Sequence, residues 1–217
     1  MFSILMPIYN GIEFIDESVN SIINQTYNEW ELLILINGHP KNSDVYNIAK
    51  KYENEKIKVF DLYMFKGKSH TLNYSLRLCN NEKICLLDVD DIWFPNKLEI
   101  QKDFINNYDV VGTNCQYFGD FMGFPDIPFG NIDTNVFKYT NPIINSSSCF
   151  NKSDAYWVSE YDSVEDYDMW LRLMKENKSF YNIKDVLVYH RIHKSSVFNN
   201  SSKQKQLERV ILKKYFN

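Results

Sequence analysis

Alanine is nearly missing from this chain of 217 residues, which holds only Ala49 and Ala155. Cysteine pairing is missing too. Cys79, Cys85, Cys115 and Cys149 form no CxxC and no dense disulfide framework, so reduced, buried thiols are expected. No apolar run approaches the roughly 18 residues of a membrane span. Met1-Phe2-Ser3 runs straight into a strand pattern, without the basic stretch and apolar core of a signal peptide. The expectation is a soluble, cytoplasmic protein in which Asn-x-Ser/Thr triplets such as Asn145-Ser146-Ser147 are chance products of Asn-rich composition. A large charge excess is also lacking. With a net charge of -4 there is no global electrostatic case for a nucleic-acid partner. Two glycine loops are absent as well. Lys66-Gly67-Lys68-Ser69 lacks the GxxxxGK[ST] spacing of a Walker A loop, and no GxGxxG supports dinucleotide binding.

What is present suffices for a full core: 44% of residues are hydrophobic and 16% aromatic. Apolar strands at 2–8, 31–36, 57–60 and 83–87 alternate with helical patterns at 12–23, 44–53 and 67–79. Strands apolar throughout are covered on both faces, and the alternation predicts a parallel, doubly wound α/β sheet. Ligands of such sheets bind outside the carboxyl ends of the strands, here Tyr9, Asn37, Asp61 and Asp88 to Asp91. Pro95 then starts a helix over 96–105. Beyond about residue 107 the pattern changes. Strands are expected at 109–118, 143–150, 180–183 and 186–192, and an irregular loop at 119–135. Helices are expected at 164–177 and 204–215, with a poorly ordered bridge at 194–204. One domain spanning 1–217 is the expected organisation, with a change of role near 107.

Three clusters carry the chemistry. Ile84-Cys85-Leu86-Leu87 ends in Asp88-Val89-Asp90-Asp91, three carboxylates in four positions. Like charges so close are either well solvated or gathered round a cation, and oxygen ligands suit Mg²⁺ or Mn²⁺. Ser163-Val164-Glu165-Asp166 reads as a capping-box-like helix start whose dipole keeps Asp166 ionised, as a general base requires. Trp170 and Leu173, four and seven residues on, give that helix an apolar anchoring side. In Tyr189-His190-Arg191-Ile192-His193, alternation places Tyr189, Arg191 and His193 on one face, suiting a diphosphate and a metal. Lys66 to Ser69, at a helix start, is a candidate phosphate contact. The commoner roles of such residues are surface capping, turn acids and routine strand charges.

The ordered set Pro7-Ile8-Tyr9-Asn10, Gln25-Thr26-Tyr27, Glu31 to Ile34, Gly67 to Asn73, Asp88 to Pro95, Glu165 to Arg172 and Arg191-Ile192-His193 resembles family 2 glycosyltransferases of the GT-A fold. That resemblance implies a Rossmann-like, mostly parallel sheet with a smaller mixed acceptor-side sheet. It also implies a nucleotide-sugar-binding half at about 1–106 and an acceptor-binding, catalytic-base half at about 107–217. The implied activity is inverting transfer of a sugar from a nucleotide diphosphate sugar, with UDP the first choice, to a glycan, lipid-linked or protein acceptor, assisted by Mn²⁺ or Mg²⁺. Pro7, Tyr9, Asn37, Lys68, Asp88 and Arg191 would bind the donor, Asp90, Asp91 and His193 the metal, Glu165 and Trp170 the acceptor, and Asp166 would be the base. Where the family has two acids before Gly, this chain has Ile36-Asn37-Gly38, which loosens base selectivity. Two rivals remain: a non-catalytic module binding a nucleotide sugar, and a haloacid-dehalogenase-type phosphohydrolase, whose DxD normally lies on a first strand.

Overall fold

A computed structural model describes residues 1–194 and 202–216. In chain order, β1 (Phe2–Ile8), α1 (Ile15–Ile23), β2 (Trp30–Asn37), α2 (Asp44–Ala49), β3 (Ile57–Leu62), α3 (Lys68–Ser75) and β4 (Lys83–Leu86) make the predicted alternation. They are followed by β5 (Ile92–Trp93), α4 (Lys97–Phe104), β6 (Val110–Gly119), β7 (Gly130–Asn131), β8 (Cys149–Asn151), α5 (Glu165–Lys175), β9 (Phe180–Ile192) and α6 (Ser202–Phe216).

The strands form one sheet in the order β3-β2-β1-β4-β8-β6-β9-β5, with β7 beside β9. The first four pair in parallel, in the registers Ile4↔Leu32, Leu32↔Ile57 and Ile4↔Cys85. β8 joins β4 and β6 antiparallel, while β6 and β9 run parallel. The uninterrupted apolar strands have the physical cause expected of them. Ile4, Met6, Ile8, Ile34 and Ile36 enter the cluster on one face, and Leu5, Leu33 and Leu35 the cluster on the other. Each such side chain removed from water stabilises the fold by about 1.5–3 kcal/mol.

Three expectations need correction. Of the strand expected at 143–150, only β8 forms; Asn145–Ser147 is a single 3-10 turn. The Ser147 and Ser148 hydroxyls donate to Ile144 O and Asn145 O at 2.8 and 2.7 Å, so polar side chains compete with the ladder for the backbone. The two strands expected at 180–192 are one, β9, whose register against β6 shifts between Thr113 and Cys115. A bulge, not a turn, absorbs the break in the pattern. Ser163 is not a cap: Val164 holds that position, Ser163 has φ 95, and Glu165 Oε2 accepts from Ser163 N at 2.7 Å. Most of the bridge expected at 194–204 lies outside the described residues. All four cysteines are buried and free.

Candidate active site

The edge formed by the carboxyl ends of β1, β2 and β4 carries the site. At β1, the Tyr9 ring stays 58% exposed and lies over Gly38, where a Cβ would meet the ring at 2.7 Å. His39 Nε2 contacts Tyr9 O at 2.5 Å, so the turn after β2 braces this platform. Pro7 is half-buried within β1, opposite Leu35. Asn37, at the end of β2, is only 3% exposed.

Past β4, Asp88 is held from three sides. Its backbone N donates to Ser146 Oγ at 3.1 Å, Lys68 Nζ lies 2.8 Å from Oδ1, and Asn145 Nδ2 donates to Oδ2 at 2.7 Å. Burial pushes this carboxyl toward its neutral form. The Lys68 ammonium and the Asn145 amide outweigh that push and keep it below the usual carboxylate range. Burial also disfavours the charged Lys68, but Asp88 and Glu165 more than restore it, so the amine stays a cation.

The other two acids part company. Asp91 is fully buried, accepting from Arg191 N at 2.8 Å and facing His190 Nδ1 at 3.0 Å. Both its oxygens are engaged in folding the turn, which removes it as the alternative metal ligand. Asp90 Oδ2 faces His193 Nε2 at 2.9 Å. Burial, together with repulsion from Asp91 and Asp88, raises its pKa to about 6. Arg191 does not reach out as a diphosphate arm. Its guanidinium is sandwiched between Phe14 and Phe118, 4.4 and 4.3 Å from the ring centroids, and Nε donates to Asp90 O at 2.9 Å. Among the described residues no group of three or more His, Cys, Asp or Glu side chains is gathered for a metal. Asp90 and His193 nevertheless form an adjacent oxygen–nitrogen pair. A cation beside Asp90 would relieve the repulsion that raises its pKa, and a bound diphosphate would complete the ligand set, as Mg²⁺ and Mn²⁺ sites commonly require.

Beyond Lys68, α5 presents Asp166 on its first turn. Asn141 Nδ2 donates to its Oδ2 at 3.1 Å. Burial, and the neighbouring Glu165 charge, raise its pKa to about 7. Glu165 is buried; its Oε1 lies 3.4 Å from Lys68 Nζ. Lys68 thus stands between the acid ending β4 and the acids opening α5. Glu165 is engaged inside this network, facing Lys68 and Ser163. Trp170 is fully buried, its ring meeting Phe150 edge-on at 5.5 Å, so it is a core side chain and cannot touch an acceptor. Of the amides expected to face phosphate at the start of α3, that of Ser69 is already occupied, because Asp162 accepts from Ser69 N at 3.1 Å. Asn141, Asn145, Ser146, Asp162 and His190 all escaped the sequence reading. Isolated Asn, Ser and Asp residues dozens of positions away carry no local signal, whereas His190 lay within a motif but on the face that alternation set aside.

The family described as Glycosyl transferase family 2 matches residues 3–167. Among curated relatives, the O-antigen biosynthesis glycosyltransferase WbnJ of Escherichia coli is 29% identical over 211 residues, covering 90% of this chain and 81% of its own. The Escherichia coli UDP-Glc:alpha-D-GlcNAc-diphosphoundecaprenol beta-1,3-glucosyltransferase WfgD is 28% identical, covering 94% and 82%. Among solved structures, S. aureus TarS residues 1–349 in complex with UDP-GlcNAc superposes with TM-score 0.78 at 19% identity. That alignment covers 97% of this chain and 65% of TarS, so the chain spans just under two thirds of that solved protein. At that identity the likeness shows the fold alone, that of the GT-A glycosyltransferases. No helix among the described residues is long and apolar enough to cross a membrane. With the family's match running from β1 through the Asp166 turn, the chain belongs to glycosyl transferase family 2.

Proposed function

We propose that this chain transfers a sugar, with inversion, from a nucleotide diphosphate sugar to an acceptor hydroxyl, using Asp166 as general base. The observation that carries the reading is the gathering of two differently tuned carboxylates about one lysine, Lys68. Asp88 is held ionised by Lys68, and Asp166 has a pKa of about 7. A group that must remain an anion and a group that must exchange a proton near neutrality are the pair such a transfer needs.

The donor would stack its base on Tyr9 and set its ribose or sugar against Asp88, with Lys68 beside its diphosphate. Asp90 and His193 would hold Mn²⁺ or Mg²⁺, which when bound offsets the charge developing on the leaving diphosphate. Asp166 would take the acceptor proton from the opposite side, so no covalent sugar–enzyme intermediate is needed. UDP is the first choice of nucleotide, supported by the printed names of WfgD and of the TarS complex. WfgD's name also supports a lipid-diphosphate-linked glycan as acceptor.

The test is a screen of nucleotide sugars for turnover with and without Mn²⁺, run beside Asp166→Asn. The variant should bind UDP as the parent does and lose transfer. Persistent transfer in the variant would remove Asp166 as the base. Binding of a nucleotide sugar without turnover of any would make the chain a non-catalytic module.

A further inference from the structure

The helix carrying Asp166 starts without a side-chain cap, braced locally by Glu165 Oε2, which accepts from Ser163 N. Val164, at its cap, supplies no side-chain hydrogen bond, and Ser163 before it has φ 95, a conformation that costs a non-glycine residue on the order of 1–3 kcal/mol. Such a turn persists only when its surroundings over-determine it. Here the surroundings are α3. Asp162 accepts from Ser69 N at 3.1 Å and also from the Ser69 hydroxyl. Asn73 Nδ2 donates to Trp157 O at 2.6 Å, and its Oδ1 accepts from Trp157 N at 3.0 Å. Gly67 has φ 105, and a Cβ there would collide with the Asp162 carboxylate, so the close approach needs glycine. Residues 157–165 therefore lie as a strap along α3, and Asp162 closes its end.

The same helix grips the donor side. Lys68, one residue before Ser69, is the cation on Asp88. One short rigid element thus holds both the acid at the end of β4 and the turn that aims Asp166. We propose that Asp162 is a positioning residue: through Ser69 it fixes the base-bearing end of α5 to α3, and α3 sets the spacing between donor and base. Asp162 is engaged with Ser69, so the part assigned to it is positioning and not contact with a reactant. The inference rests on Asp166 being the base. It yields a distinctive expectation, because loss of the strap should misplace the base and leave the donor subsite intact. Misplacement by about 1 Å is enough to cost about a hundredfold in rate.

The test uses the full chain and the donor that supports turnover in the screen above, with UDP as the binding probe. Asp162→Ala should bind UDP within about twofold of the parent, keep its donor KM, and lose about tenfold or more in kcat. Asp162→Asn, whose amide oxygen still accepts from Ser69 N, should recover most of that loss. Ser69→Ala keeps the backbone donor and removes only the hydroxyl, so it should lose kcat in the same direction by a few-fold; it serves if Asp162→Ala does not fold. Unchanged kcat in Asp162→Ala, or in Ser69→Ala where that variant stands in for it, would overturn the proposal. So would a loss in UDP affinity in place of kcat, or an Asn variant as impaired as the Ala variant. Failure of the underlying reading looks different: Asp166→Asn would itself remain active.

Discussion

Asp91, without exposed surface, faces His190 Nδ1 at 3.0 Å, and that contact turns an apparent metal ligand into an internal anchor. Burial disfavours the imidazolium, but Asp91 outweighs it and raises the His190 pKa to about 9. His190 is thus raised above its unfolded value near 6.5, so the stabilisation is fully present below about pH 6.5 and is lost as pH rises through about 9. His190→Leu should leave Asp91 buried without its charge partner and cost about 3 kcal/mol at neutral pH. Urea unfolding of parent and variant across that interval should show the difference shrinking at the alkaline end.

Asp166 must be ionised to act as base, so transfer should rise with pH through about 7, with the slope of a single proton. Asn141→Ala removes the amide that favours the carboxylate, and the acid limb should move to higher pH. The stability sign is the reverse of that for Asp88. A carboxyl whose pKa is raised in the fold makes the protein less stable as pH climbs from about 4 to about 7. Rate profiles of the two proteins on one donor decide this.

With Lys68 beside the diphosphate as proposed, Lys68→Met should weaken UDP binding by about tenfold, because a charge-assisted contact is lost and burial is left to push Asp88 toward its neutral form. Calorimetry with UDP reads this directly. Equal affinity in parent and variant would place Lys68 outside the donor site.

UDP binding should tighten with Mn²⁺, and Asp90→Asn should abolish that gain. Since Asp90 has a pKa of about 6, the gain should fade as the pH drops below that value. Titrations with and without Mn²⁺ at two pH values check both statements.

Trp170→Ala should destabilise the protein by about 3–5 kcal/mol through the cavity left against Phe150. The milder Trp170→Phe should leave the acceptor KM unchanged. A specific change in acceptor KM there would contradict its core placement.

The parallel half was legible because doubly covered strands must be apolar throughout, and Ile4 and Leu5 do pack to opposite faces. The acids at the end of β4 and on the first turn of α5 were legible as residues. Their division of labour was not. Nothing local distinguishes Asp90 from Asp91; the difference is made by His190, Arg191 and His193, about a hundred positions away. The Ser163 pattern misled because Glu165, two residues on, satisfies the backbone N that a capping box would leave to the residue three on. Trp170 misled because a helix beside a site has a core face as well as a working face.

One consequence of the pairing around β4 concerns adaptability. β4 is laddered to β1 on one side and to β8 on the other, so no seam runs through the sheet where the sequence changes character near residue 107. A hinge opening there would have to break ladder hydrogen bonds. Accommodation of a different sugar or acceptor is therefore left to stretches the ladder does not constrain. One lies outside the named strands, the turn at 120–129; it is tied to β6 by Tyr117 N donating to Gly123 O at 2.8 Å, yet Phe121, Met122 and Phe124 stand exposed and Phe121 packs on Tyr117, itself against His190. Side chains on that turn can be exchanged while the laddered frame stays locked.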